Sequence, residues 1–179
     1  MGECWLLNAR HLHNVPGRTT DAADAAWIAE LVEYGLVRPS FVPPQPIREL
    51  RNLTRYRKAQ IEERVREVQR LDTILQDAGI TLSSVASDLL GTSGRAMLDA
   101  LASGTTDPTV LSDLAKGQLR TKIPALREAL TAFFTGHHAI IVTEILAKLD
   151  YLDDAIGRLS VEIDRVIAPF ADTVALLDT

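Results

Sequence analysis

Four places in this sequence carry side chains able to do chemistry. The first is Asp21-Ala-Ala-Asp24, two carboxylates three residues apart at the start of an alanine-rich stretch. On a helix that spacing projects both acids from one face, about a turn from each other. Two oxygen donors so placed suit a hard divalent cation such as Mg²⁺. An acidic first turn equally complements the helix dipole and caps free N–H groups, and spacing alone leaves both readings open. The second place, His11-x-His13, is a pair able to bind metal, but no further ligand accompanies it at a suitable spacing, so solvated loop histidines are expected. The third, Gly91-Thr-Ser93-Gly94-Arg95, offers a nucleophilic serine. No strand precedes it and no acid and histidine follow in the required order, so a Ser N-cap opening a helix over 95–102 accounts for it better. The fourth, His137-His138, stands near a helix start without a second ligand cluster and reads as structural or solvated.

Mainly helical elements must position these groups. The chain has 179 residues, 46% hydrophobic and 24% charged, a balance that excludes disorder and membrane-like composition. Only 5% of it is aromatic, and Ala, Leu and Ile supply most of the apolar side chains, which favours helices packed along ridges. No run of eighteen apolar residues and no signal peptide is present, so neither a membrane span nor a membrane partner is expected, and the cytoplasm is the expected compartment. The lone Cys4 excludes an internal disulfide framework and a cysteine-rich zinc site.

The net charge of −5 conceals an asymmetry. Residues 48–70 hold eight basic side chains against four Glu, a local +4 that leaves −9 for the rest. Arg48, Arg51, Arg55, Arg57 and Lys58 crowd the first part of this stretch, and Arg48, Arg51, Arg55 and Lys58 recur at steps of three and four. They form a basic stripe: either a solvated helix face partnered by Glu62, Glu63 and Glu67, or a phosphate-contacting face.

In chain order, residues 4–8 read as a short buried strand. A helix from near Asp21, carrying Ala25, Ile28, Ala29, Leu31 and Val32, should stop at Tyr34-Gly35. Four prolines in residues 38–46 make a stiff connector and a plausible boundary. A long helix is expected from 47 to about 78, its apolar positions being Leu50, Leu53, Ile61, Val65, Val68, Leu71 and Leu75, with Gly79 as its stop. Residues 80–132 look like several short helices. From about 134 to 168 the pattern is clearest: Ile145, Leu149, Leu152, Ile156, Leu159, Ile163 and Val166 follow alternating steps of four and three. These are three heptads, roughly 33 Å of helix. The stripe must meet another helix, either the 47–78 helix folded back antiparallel or the same segment of a second chain.

Several runs together strongly resemble a known family. They are Asn8-Ala-Arg-His11, Val15-Pro-Gly-Arg-Thr-Thr-Asp-Ala-Ala-Asp-Ala-Ala-Trp27, Gly35-Leu-Val-Arg-Pro-Ser-Phe-Val-Pro-Pro44 and Arg48-Glu-Leu-Arg-Asn-Leu-Thr-Arg-Tyr-Arg57. The family is the DEDD-type transposases of bacterial insertion sequences, the branch with a RuvC-like N-terminal domain and a serine-bearing C-terminal domain (insertion-sequence family one hundred and ten). Gly91-x-Ser-Gly-Arg95 and the Pro169-Phe170 ending also match it.

The resemblance implies a DNA transposase or recombinase whose four acids hold Mg²⁺, with Asp21 and Asp24 as the final pair of catalytic and metal-ligating residues. It implies nucleic-acid contacts, to DNA and to an element-encoded guide RNA, at Arg48, Arg51, Arg55, Arg57 and Lys58. It implies self-association, as a dimer or higher, along Ile145, Leu149, Leu152, Ile156, Leu159, Ile163 and Val166. The expected organisation is a remnant of the RuvC/RNase H-like domain, short strand plus helix, over 1–37, then a proline linker over 38–46. A helical coiled-coil domain follows over 47–170, and 171–179 would start a serine domain. The only acid before Asp21 is Glu3, so the first two acids of the family pattern are expected upstream of this sequence and the serine downstream. On that reading the chain is a fragment, catalytically incomplete alone. The alternative is a self-standing helical interaction module that binds or inhibits a full-length transposase.

Overall fold

The computed structural model describes residues 6–8 and 21–170, with only the backbone described at 21–24. The fold is mainly α-helical, as expected, and holds two compact units, residues 1–49 and 50–179, whose boundary falls in the first turns of the second helix. The strand expected over 4–8 is not seen: residues 6–8 have no regular structure, and residues 4 and 5 lie outside the described residues. The Ser40 N–H donates to the Leu6 carbonyl at 2.7 Å, and no strand is formed among the described residues.

In the first unit, α1 spans Asp21–Glu33. It ends as Gly35 allows: with φ at +66°, the Gly35 N–H donates to the Val32 carbonyl and the Leu36 N–H to the Leu31 carbonyl. That pair of bonds is a Schellman motif and satisfies carbonyls the helix would leave orphaned. Among the described residues of this unit, Leu31 and Val37 are the buried hydrophobics.

The second helix, α2, spans Gln45–Asp77 with no Gly and no internal proline beyond its first turn. Gly79 closes it at φ +83°, with Ile80 N–H bonded to the Leu75 carbonyl and both side chains fully buried. Short helices follow: α3 (Leu82–Val85), α4 (Thr92–Ala102), α5 (Pro108–Asp113), a 3₁₀ turn (Gly117–Lys122) and α6 (Ile123–Ala129). The long α7, Gly136–Ile167, passes into a 3₁₀ turn, Ala168–Phe170, at the expected Pro169.

The core of this unit gathers Leu71 and Leu75 of α2, Met97, Leu98 and Leu101 of α4, Leu111, Leu126 and Leu130, and Val142, Leu146 and Leu149 of α7. Polar bonds set α2 and α7 antiparallel: Arg57 with Ser160, Arg64 with Asp153, Glu63 and Glu67 with Lys148, and Asp77 with His138. The heptad stripe therefore meets α2 of the same chain. Ile145, Leu149 and Leu152 are buried there, while Ile156, Leu159, Ile163 and Val166 are half-buried.

Val65 departs from its expected inward place and is 50% exposed. At about 100° per residue it lies roughly a quarter-turn off the face that carries Leu53, Arg57 and Arg64. The nearby buried position belongs instead to Glu67, whose carboxylate is paired with Lys148 and Arg70. Such pairing is what lets a charge be buried.

Candidate nucleic-acid interface

Along α2 the basic side chains divide into two sets. In the C-terminal half each has an acidic partner. Arg64 Nη2 donates to Asp153 at 3.2 Å, Arg66 Nε donates to Glu63 at 2.9 Å, and Arg70 pairs with Glu67. Lys148 of α7 enters the same network, donating to Glu63 at 2.8 Å and to Glu67. These contacts have electrostatic consequences. Hydrogen bonds from Lys148 and then Arg66 hold the Glu63 carboxyl down to about 2, and the same network raises Lys148. The Asp153 carboxylate likewise raises Arg64.

The N-terminal half lacks such neutralisation. Arg48, Arg51 and Arg55 are exposed and have no ion pair or side-chain hydrogen bond among the described residues. Lys58 is exposed and only loosely paired, 3.8 Å from Glu62. Arg57 turns inward and is half-buried, its Nε donating to the neutral Ser160 hydroxyl at 2.8 Å. The sequence grouped these five together. Helix geometry separates Arg57 from the rest, since it lies about half a turn from Arg55 and shares the face that meets α7. What remains outward within the second unit is Arg51, Arg55 and Lys58, cationic groups on solvent-exposed stems. Arg48 belongs to the first unit, where it is equally exposed.

Asp21 and Asp24 lie three residues apart in the first turn of α1, and their side chains lie outside the described residues. His11 and His13 lie outside them altogether.

The Gly91–Arg95 motif has a structural explanation that differs from the expected serine cap. The helix begins at Thr92, three residues earlier than expected, with Gly91 as its N-cap. Ser93 is inside the first turn and buried, its hydroxyl accepting the Lys116 N–H at 2.8 Å. Gly94 is needed because a Cβ there would stand 2.3 Å from the Leu89 carbonyl oxygen. Arg95 joins α4 to α7, donating from Nη2 to Asp150 at 2.8 Å and from Nε to Asp99 at 2.9 Å. Asp150 is lowered by that guanidinium. The motif docks α4, and no nucleophile emerges from it.

His137 and His138 do gain a companion. Asp77, the last residue of α2, lies 3.2 Å from His138 through Oδ2 and Nε2, forming the cluster absent from the local sequence. Sixty residues separate them, so only the return of α7 along α2 brings them together.

The described residues thus define a helical protein whose longest helix turns unpaired arginines to solvent. Residues 3–80 match the family model of a transposase, the DEDD transposases of insertion-sequence family one hundred and ten. Over that segment, somewhat under half of its length, the chain is similar to this family, one of insertion-sequence transposition. The match takes in α1, the proline connector and all of α2. Comparison with curated proteins and with solved structures finds no match. No helix among the described residues is long and apolar enough to cross a membrane.

Proposed function

We propose that this chain serves insertion-sequence transposition by holding nucleic acid along the outward face of α2. The observation that carries this reading is the pair Arg51 and Arg55. Both lie in the family-matched segment, are exposed and are unpartnered among the described residues, on the side of α2 opposite the side chains that meet α7. Unneutralised guanidiniums on a helix bind phosphate by releasing counterions, and a carboxylate within reach would cancel that gain. Lys58 extends the face, and Arg48, in the first unit, is proposed as a further nucleic-acid contact. Arg57 supports it from behind by tying α2 to Ser160. DNA and a structured guide RNA share the phosphate chemistry, and the resemblance favours both as partners.

Asp21 and Asp24 are proposed as two of the four acids that hold Mg²⁺ in the complete site of that family, with binding by this pair alone weak or absent. Both carry a carboxylate, the oxygen donor the ion takes, and they stand three residues apart in the sequence. When bound, Mg²⁺ would stabilise charge on phosphodiester oxygens. Self-association falls to Ile156, Leu159, Ile163 and Val166, because Ile145, Leu149 and Leu152 are already buried within the chain. The domain plan, with a RuvC-like remnant to residue 37, a linker to 46 and a helical domain to 170, is proposed with it, as is a cytoplasmic site of action.

The test is binding of the purified chain to a labelled duplex and to a structured RNA between 50 and 200 mM salt. Arg51→Gln and Arg55→Gln should each weaken binding to both and reduce the slope of log affinity against log salt by about one. Binding that is insensitive to salt and to both substitutions refutes the reading.

A second reading is a helical module that binds or inhibits another transposase copy. It is favoured by the half-exposed apolar residues at the far end of α7. A strictly monomeric mass at high concentration, with no capture of a transposase of this family, would exclude it.

A further inference from the structure

We propose that Asp77, His137 and His138 form a binding site for a divalent transition-metal cation of the zinc class, clamping the end of α2 to the start of α7. One ligand atom from each residue lies within 4.8 Å of those of the other two. His138 Nε2 and Asp77 Oδ2 are 3.2 Å apart. Two donors on one tetrahedral ion, with bonds of about 2.0–2.1 Å, are separated by about 3.3 Å, so this pair is already spaced to share one. The His137 ring lies against that of His138, tilted by 37° with centroids 3.8 Å apart. Its Nδ1 is held 2.8 Å from the Thr135 hydroxyl, and its Nε2 makes no hydrogen bond among the described residues.

Burial differs across the three in a useful way. His138 is 5% exposed and locked in place, while Asp77 and His137 are open to solvent. A fixed inner ligand with two accessible outer ones gives an ion both a template and an entry path. Two imidazoles and one carboxylate favour zinc or its neighbours over Mg²⁺, which takes oxygen donors. Three protein ligands leave a fourth position for water. Asp77 also ends α2, where a carboxylate opposes the helix dipole and a cation would relieve it.

The competing arrangement is visible and sets the chemistry of loading. Without metal, His138 Nδ1 accepts the Thr135 N–H at 3.1 Å as part of a capping box, so its proton resides on Nε2 and is donated to Asp77. An ion at Nε2 needs that lone pair. The ring proton then passes to Nδ1, which donates to the Thr135 hydroxyl 3.0 Å away. No proton is lost overall. The Thr135 N–H, on an exposed residue, then exchanges its imidazole acceptor for water.

The experiment uses the full chain, stripped with a chelator and titrated with ZnCl₂ by calorimetry and by thermal unfolding, with MgCl₂ as the comparison. One zinc equivalent should bind and raise the midpoint, and excess magnesium should not displace it. Asp77→Asn and His137→Ala alter exposed side chains outside the core, and each should weaken zinc binding at least tenfold while the metal-free midpoint moves little. X-ray absorption of the zinc-loaded protein should show nitrogen and oxygen ligands only, including imidazole. Absence of binding, binding unchanged by both substitutions, or a sulfur ligand that would place the ion on Cys4 overturns the proposal.

Discussion

Gly94→Ala and Gly157→Ala, the same substitution in two helices, should have opposite signs. A Cβ at Gly94 would meet the Leu89 carbonyl oxygen at 2.3 Å, the Leu89 carbonyl carbon at 2.8 Å and the Asp88 carbonyl oxygen at 3.1 Å. Ordinary carbon–oxygen contacts start near about 3.3 Å, so the overlap is about 1 Å. The opposing atoms are backbone, which cannot rotate aside. Either α4 or the 88–89 turn must shift, and α4 contributes Met97, Leu98 and Leu101 to the core. Overpacking of this kind costs about 1–3 kcal/mol. The better helix propensity of alanine returns at most about 1 kcal/mol, and less in a first turn. With the immovable neighbour placing the cost high in that range, the net loss is about 2 kcal/mol. Gly157, in the interior of α7, has nothing within 4 Å of its Cβ position. There the propensity gain is unopposed, and about 0.5–1 kcal/mol of added stability is expected. For a chain of this length these values correspond to a midpoint about 4–8 °C lower for Gly94→Ala and about 1–4 °C higher for Gly157→Ala. Urea unfolding followed by helical circular dichroism measures both. Gly94→Ala as stable as wild type would refute the close approach of α4 to the 88–89 turn. A destabilised Gly157→Ala would refute the open face of α7.

Two further predictions concern the pairing of α2 with α7. Glu63 is depressed from 4.5 to about 2 by Lys148 and Arg66. A carboxyl lowered in the folded state contributes stability that is fully present above its unfolded value and lost as pH falls through the folded one. Unfolding midpoints should therefore drop between about pH 4.5 and 2, and Glu63→Gln should flatten part of that drop while also lowering stability at pH 7; an identical acid profile in the variant would rule the linkage out. Leu149, 1% exposed, lies in the central core, so Leu149→Ala should cost about 2–5 kcal/mol in urea unfolding. Were the heptad stripe reserved for a second chain, that loss would instead depend strongly on protein concentration.

Local chemistry made much of the fold legible. The stop at Gly35, the uninterrupted α2 with Gly79 at its end, the broken stretch of short helices and the long α7 all follow from periodicity and from residues whose backbone freedom is a local property. The family motifs lie within the same contiguous segment and needed no structure to be read. Arg51 and Arg55 could be picked out as part of a basic stripe, but the residues that neutralise or spare each cation sit on another helix. Lys148 and Asp153, roughly ninety residues away, decide that the C-terminal half of α2 is paired and the N-terminal half is open.

The same holds for the motifs that looked chemical. Gly91–Arg95 could not declare itself a docking device, because Leu89, Lys116 and Asp150 reach it only through the turn and the packing of α7. His137 and His138 seemed to lack a ligand because Asp77 is sixty residues away along the chain and 3.2 Å away in space. By itself the sequence determined the helices, their stops and the family likeness of residues 3–80, since helix propensity, glycine backbone freedom and motif spacing act over a few residues. Only the tertiary structure decided which charges stay unpaired, which serine is buried and which histidines meet an acid, because those depend on distances between helices that no local pattern encodes.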